Sequence, residues 1–374
     1  MTRTSHRARS LSRLPTKLLA WDGYSPWRRE PGEEFGMSEY SGIHGMWSEN
    51  EGTRVRAAWT PRRRPAPLGA YLAFRAAYGR LRHLAGITQG PAVLGVAVDG
   101  RGHVVEAVIV EPGHSLIIGR HTGCGLRLPS DTVSLRQLAL YAQSGAPGAA
   151  PDIRLWDLNT EQLFLTEDGE PNAAVIAQGL LYAAVEEYAL LFIPTRGPSA
   201  WSWPERAEEA WEALPPRHFI DQRAPSADRR RHSRHLRLDG QEYHTNVTRL
   251  GPLMLLSGHE RPEAAWGSLR LVGAEREEEH HISLARLEQG VLLGRYERCG
   301  IVLAQEGLGL SRVHLLLVRM GGEVLAIDTA STNGTWRGPV EVQTTALEDS
   351  DSLELGESLV LHWRRLSRRS STVG

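Results

Sequence analysis

Arg295, Ser311, Thr332 and Asn333 form a set suited to holding an anion rather than turning one over. Arginine offers a planar fork of N–H donors that matches phosphate oxygens. The hydroxyls of Ser311 and Thr332 can donate to the same group, and Asn333 can hold a peptide main chain through its amide and its carbonyl. No acid–base pair accompanies them. They stand in three short polar signatures, Gly294-Arg295, Ser311-Arg312-Val313-His314 and Ser331-Thr332-Asn333-Gly334-Thr335.

Apolar runs separate these signatures. Gly290-Val-Leu-Leu-Gly294 leads into Arg295, Leu315-Leu-Leu-Val-Arg-Met320 follows His314, and Glu323-Val-Leu-Ala-Ile-Asp328 precedes the last loop. Strand, polar loop, strand, polar loop is the pattern by which an all-β scaffold gathers loop residues at one end. Taken together, Gly294-Arg295, Ser311-x-x-His314 and Asp328-x-x-Ser331-Thr332-Asn333-Gly334-Thr335 resemble the three hallmarks of the forkhead-associated (FHA) domain over roughly residues 266–366. The resemblance implies a β-sandwich that binds phosphothreonine peptides through the loops at one end. It implies phosphate contacts for Arg295, Ser311 and Thr332, a grip on the peptide backbone for Asn333, and a flanking position for Arg312. It makes Gly294, His314, Asp328 and Gly334 structural, the imidazole tying loops together and Gly334 permitting a turn.

The chain repeats itself once. Leu116-Ile-Ile-Gly-Arg120-His-Thr-Gly-Cys124-Gly-Leu126 parallels Leu292-Leu-Gly-Arg295-Tyr-Glu-Arg-Cys299-Gly-Ile301, the arginines and the cysteines sharing one offset. An internal duplication explains this. Downstream, Ser134-Leu-Arg-Gln137 aligns with Ser311-Arg-Val-His314, and Ile153-Arg-Leu-Trp-Asp157 with Val324-Leu-Ala-Ile-Asp328. Residues 92–196 are therefore expected to form a second, degenerate FHA-like sandwich. Its hallmark loop reads Thr160-Glu161-Gln162-Leu163, and Glu161 places a carboxylate where the second copy has a hydroxyl, which opposes phosphate binding. Arg120 and Ser134 persist, leaving a residual anion site open. The two cysteines read as small buried thiols packing a loop.

With 374 residues, 41% of them hydrophobic, and a formal net charge of −1, the chain has room for two or three domains and no global pull toward nucleic acid or anionic lipid. No apolar run reaches the length of a membrane span. Two cysteines make no disulfide framework, which fits a cytoplasmic location. A Walker A loop, a kinase glycine loop with its lysine, GxSxG and HExxH are all missing, so no enzymatic activity is expected. His232 with His235, and His280 with His281, lack cysteine or carboxylate company at ligand spacing, so neither a metal nor another cofactor is expected.

The expected organisation is mainly β. An irregular extension over 1–91 carries one helix over 69–83, with Leu72, Ala76 and Ala77 on its apolar face. The degenerate sandwich spans 92–196. A linker over 197–240 holds a short helix from Pro204 to Leu214 and the basic run Arg229–Arg237, in which Ser233 is a candidate kinase target. The FHA sandwich spans 241–367, and 368–374 form a tail. Leu236–Ser257 alternates enough for two strands, extending the second sandwich or bridging it to the first. The expected function is a non-catalytic phosphothreonine-binding adaptor downstream of Ser/Thr kinases, its partner a kinase or a kinase substrate. The alternative is a phosphate-independent scaffold in a bacterial secretion or signalling assembly.

Overall fold

Ala92–Val98 and Tyr188–Thr195 are apolar at almost every position, whereas Leu359–Arg365 alternates. A strand covered on both faces needs no polar side, and a strand with one solvated face does. The computed structural model describes residues 65–145, 149–197, 203–222, 245–253, 265–274, 277–303, 309–357 and 359–366. All of these belong to one compact unit, Arg62–Gly374. Residues 1–64, Ser233 with its basic run, and the tail lie outside the described residues.

Eleven strands make the first sandwich. They are β1 (Ala92–Val98), β2 (Val104–Val110), β3 (Ser115–Gly119), β4 (Leu126–Arg127), β5 (Leu138–Gln143), β6 (Asp152–Asp157), β7 (Phe164–Leu165), β8 (Pro171–Asn172), β9 (Ala174–Ala177), β10 (Leu181–Val185) and β11 (Tyr188–Thr195). One sheet runs β2-β1-β11-β10-β7-β8, and the other contains β9-β6-β5-β3-β4. After β12 (Arg217–Asp221) and β13 (Thr245–Leu250), the second sandwich follows as β14 (Gly267–Val272), β15 (Glu277–Ile282), β16 (Val291–Gly294), β17 (Ile301–Val302), β18 (Leu315–Met320), β19 (Glu323–Asp328), β20 (Thr335–Arg337), β21 (Val340–Glu341), β22 (Thr344–Leu347), β23 (Ser350–Leu355) and β24 (Leu359–Arg365). Its sheets run β15-β14-β24-β23-β20-β21 and β17-β16-β18-β19-β22, the same order strand for strand.

The repeat extends to single hydrogen bonds. Arg120 N–H donates to Ser134 O at 3.1 Å as Arg295 N–H does to Ser311 O at 3.1 Å. Cys124 Sγ lies 3.4 Å from Leu135 O, and Cys299 Sγ 3.4 Å from Arg312 O. Burial pushes these thiols up to about 11 and about 12. Gly119 and Gly294 are required by close approach, since a Cβ would sit 2.5 Å from Leu135 O in one and 2.2 Å from Arg312 O in the other.

Both faces of the first sandwich are covered. Helix α1 (Ala70–Ile87) lays Ala73, Phe74, Ala77, Leu81 and Leu84 on the outer side of β1 and β11, and α2 (Ala207–Glu212) packs beside it through Trp211, 5.2 Å from Phe74 between ring centroids. The buried stripe differs from the expected one. Ala77 is buried, but Leu72 is 44% exposed and Ala76 faces outward, because Phe74, Tyr78 and Leu81 set the helix rotation by filling the larger volume. The opposite face meets the second sandwich. Ile117, Ala139, Tyr141 and Trp156 pack against Leu292, Leu316, Val318 and Ile327 in one continuous apolar seam. Trimming several such side chains would cost a few kcal/mol each.

The strand β13 pairs antiparallel with β9, and β12 parallel with β13. Thr245–Leu250, within the span read as the second sandwich, thus extends the sheet of the first. Its alternate residues Thr245, Val247 and Arg249 are buried there. Among the described residues no helix is long and apolar enough to cross a membrane.

Candidate functional site

Strand ends place the polar residues. Arg295 follows β16 directly, Ser311 to His314 lead into β18, and Ser331 to Gly334 connect β19 to β20. Antiparallel pairing of β18 with both β16 and β19 brings these three ends to one edge of the sheet.

Asp328, the last residue of β19, shapes the final loop. Its carboxylate accepts from Ser331 N at 2.7 Å, Ser331 Oγ at 2.6 Å and Thr335 Oγ1 at 2.6 Å. Ser331 is thereby committed to the turn, and Thr332 is left exposed at its tip. Gly334 has φ +74°, and a Cβ there would meet Glu341 Oε1 at 2.7 Å. His314 is fully buried. Its Nδ1 accepts from Ser311 N at 3.3 Å and its Nε2 donates to Gly334 O at 3.2 Å, which fixes the Nε2–H tautomer. Burial holds this imidazole below the ordinary histidine value, partly offset by Asp328 4.0 Å away.

Ser311 is only 4% exposed, and its Oγ accepts from Thr332 N at 2.9 Å. The two hydroxyls, Ser311 Oγ and Thr332 Oγ1, lie 3.3 Å apart. Arg295 is exposed and turns back so that Nε donates to Leu310 O at 2.6 Å, and its two terminal nitrogens have no partner among the described residues. Arg312 is exposed on the same segment. Asn333 Nδ2 donates to Gly309 O at 3.1 Å, across the rim from Thr332. Arg295, Ser311, Thr332 and Asn333 therefore share one loop-lined end, and Gly294, His314, Asp328 and Gly334 form its frame.

The corresponding end of the first sandwich keeps the loop-tying bonds but has Glu161 and Gln162 where the second has Thr332 and Asn333. Gln137 Oε1 accepts from Ser134 N at 3.0 Å, and Gln137 Nε2 reaches Gln162 O at 3.1 Å and Thr160 Oγ1 at 2.6 Å. Asp157 accepts from Thr160 N at 2.7 Å as Asp328 does from Ser331, but burial pushes its carboxyl up to about 6. Glu161 turns to Arg298 of the second sandwich, 3.2 Å away. The backbone bond keeps Arg120 and Ser134 adjacent, with Arg120 exposed and Ser134 half-buried.

One residue here had no role in the sequence reading. Arg136, from the first sandwich and 8% exposed, donates through Nε to Thr329 O at 2.7 Å and Ala330 O at 3.0 Å, and through Nη2 to Ser311 Oγ at 3.3 Å. Its repeat partner is the buried Val313. An arginine aligned with an apolar core position was the signal available in the sequence. His280 and His281 lie on β15, and no cluster of three or more potential metal ligands occurs among the described residues.

Residues 291–356 match the family model of the FHA domain. Among solved structures, the chain is similar to the first FHA domain of Rv1747 from Mycobacterium tuberculosis, with 25% identity over 28% of this chain and 100% of that one and a TM-score of 0.23. It is similar at 30% identity to the FhaA FHA domain crystallised with the intracellular domain of Rv3910, covering 26% of this chain and 99% of that one at a TM-score of 0.22. A third similar structure, from work on phosphothreonine-dependent FHA interactions, shares 29% identity over 27% of this chain and 97% of that one at a TM-score of 0.22. No curated protein matches the chain. The three signatures gather on the sandwich that the family model matches, and the chain carries an FHA domain there.

Proposed function

We propose that this protein is a phosphothreonine-peptide-binding adaptor that acts downstream of Ser/Thr protein kinases. Its partner is a phosphorylated kinase or kinase substrate. Arg295, Ser311 and Thr332 take the phosphate, Asn333 holds the peptide backbone, and Arg312 flanks them. The observation that carries this reading is the meeting of Ser311 and Thr332, with Thr332 N–H donating to Ser311 Oγ at 2.9 Å, beside the exposed Arg295, whose Nε donates to Leu310 O. A phosphate brings about −1.5 to −2 charges and three acceptor oxygens. Hydrogen bonds to charged groups contribute roughly 1.5–3 kcal/mol each, so three or four, less ordering costs, support micromolar binding. The match of residues 291–356 to the FHA family model supports the same class. The test is binding of the full chain to matched peptides with and without phosphate on threonine.

A scaffold role independent of phosphate has one supporting observation, confined to the first sandwich. Glu161 occupies the position of Thr332 and is held by Arg298. That sandwich serves as a structural partner, and equal binding of phosphorylated and unphosphorylated partners would favour the scaffold reading for the whole chain.

A further inference from the structure

The seam between the sandwiches draws on equivalent residues of both copies, and the copies differ beside the phosphate-binding loop. Asn159 and Ala330 are repeat equivalents, with φ of +56° and +59°. Each touches the other copy's loop after the arginine: Asn159 Nδ2 donates to Arg298 O at 2.8 Å, and Ala330 lies near Gly123. Asparagine tolerates the left-handed conformation, whereas alanine enters it at a cost. Arg136 occupies the place that would offset that cost, since it donates to the carbonyls of both Thr329 and Ala330. The reciprocal position, Val313, offers the first copy nothing comparable.

Burying a guanidinium is unfavourable unless it is well compensated. Among the described residues no carboxylate lies within ion-pair distance of Arg136, and its Nη1 has no hydrogen-bond partner. Its positive charge therefore stands beside Ser311 without a bonded counter-charge. Ser311 Oγ has two lone pairs, and Thr332 N–H and Arg136 Nη2–H occupy both. The Ser311 proton is thereby left to be donated outward, toward Thr332 Oγ1 in the free protein and toward an anion when one is bound.

From this geometry we propose that Arg136 of the first sandwich is a positioning residue for the phosphate site of the second, orienting the Ser311 hydroxyl and fixing the loop that carries Thr332. The inference rests on the phosphothreonine reading above. It gives the degenerate copy a function, which is to complete its neighbour's site rather than to bind a phosphate of its own. Phosphopeptide binding is then a property of the pair, and an isolated second sandwich would bind weakly.

The test uses the full chain, with short phosphothreonine-centred peptides of randomised flanks as one probe and the same peptides unphosphorylated as the other. Arg136→Met should weaken phosphate-dependent binding about tenfold, the order expected on losing a charge-assisted contact. Arg136→Lys should restore part of it. Combined with Ser311→Ala, Arg136→Met should cost clearly less than it does alone, because both changes remove the same oriented hydroxyl. A merely structural role predicts a lower Tm and additive binding losses instead. In the unmodified chain, the Arg136 Nε–H resonance should shift with the phosphorylated peptides and stay still with the others, which decides the matter even if the variant does not fold. Binding that is lost in Arg295→Ala but unchanged in Arg136→Met, additive losses, or an unmoved resonance would overturn this inference alone. Equal binding of both probes by the unmodified chain would overturn the phosphothreonine reading and this inference with it.

Discussion

Gln137 in the first sandwich and His314 in the second make the same pair of loop-tying hydrogen bonds. Each accepts from the backbone N–H three residues earlier, at 3.0 Å and 3.3 Å, and each donates to a carbonyl of the loop after the aspartate that both copies share, at 3.1 Å and 3.2 Å. An amide has an acceptor and a donor in nearly the places where a neutral imidazole has them. The substitution that marks the first copy as degenerate therefore preserves its fold.

His314→Gln should be tolerated, with a stability change within about 1 kcal/mol, whereas His314→Ala should cost about 2–4 kcal/mol through two orphaned buried groups and a cavity. The pH dependence should also differ. The folded imidazole titrates below its unfolded value of about 6.5, so stability is fully present above that value and is lost as the pH falls through the window beneath it. His314→Gln removes that loss. Urea denaturation of the three proteins at neutral and mildly acidic pH checks both statements.

Asp157 predicts the opposite slope. Burial raises its carboxyl to about 6, above an unfolded value of about 3.9, so its protonated form favours the fold. Its contribution is present at low pH and is lost as the pH rises from about 4 through about 6. Asp157→Asn keeps an acceptor for Thr160 N and carries no charge, so the difference in stability between variant and parent should grow in the variant's favour across that window. A difference that is flat with pH would contradict the assignment.

The parts of this fold that were legible in the sequence are those specified by local rules. Period-two apolar runs, turn residues and a repeated Arg-x-x-x-Cys-Gly segment are visible without neighbours. What was missed depends on neighbours. The rotation of α1 is decided by the sheet beneath it, so Leu72 and Ala76 looked as suitable as Phe74 and Leu81. Thr245–Leu250 alternates well enough to join either sandwich, and only the free edge of β9 decides which. Arg136 sits beside Ser134 and Gln137, both of which were read, yet its partners lie in the other copy, far along the chain.

The proposed phosphothreonine site predicts selectivity over phosphoserine. Phosphoserine would keep every proposed phosphate contact but would leave unfilled the space that a threonine methyl takes. A methyl in a fitted pocket contributes roughly 1–3 kcal/mol, a factor of about 10 to 200. Phosphoserine should therefore bind measurably more weakly without failing outright. Calorimetry with a matched peptide pair checks this, and equal dissociation constants would mean a general phosphate site.

Titrating the full chain and its Arg295→Ala variant with one threonine peptide, phosphorylated and unphosphorylated, measures phosphate-dependent binding through Arg295. Arg295 is exposed, so its replacement should leave Tm nearly unchanged while the loss of an arginine–phosphate fork costs several kcal/mol of binding. The expected result is micromolar binding of the phosphorylated peptide by the parent, none detectable by the variant, and none of the unphosphorylated peptide by either. A variant that folds and binds the phosphorylated peptide with the parent's affinity would contradict it.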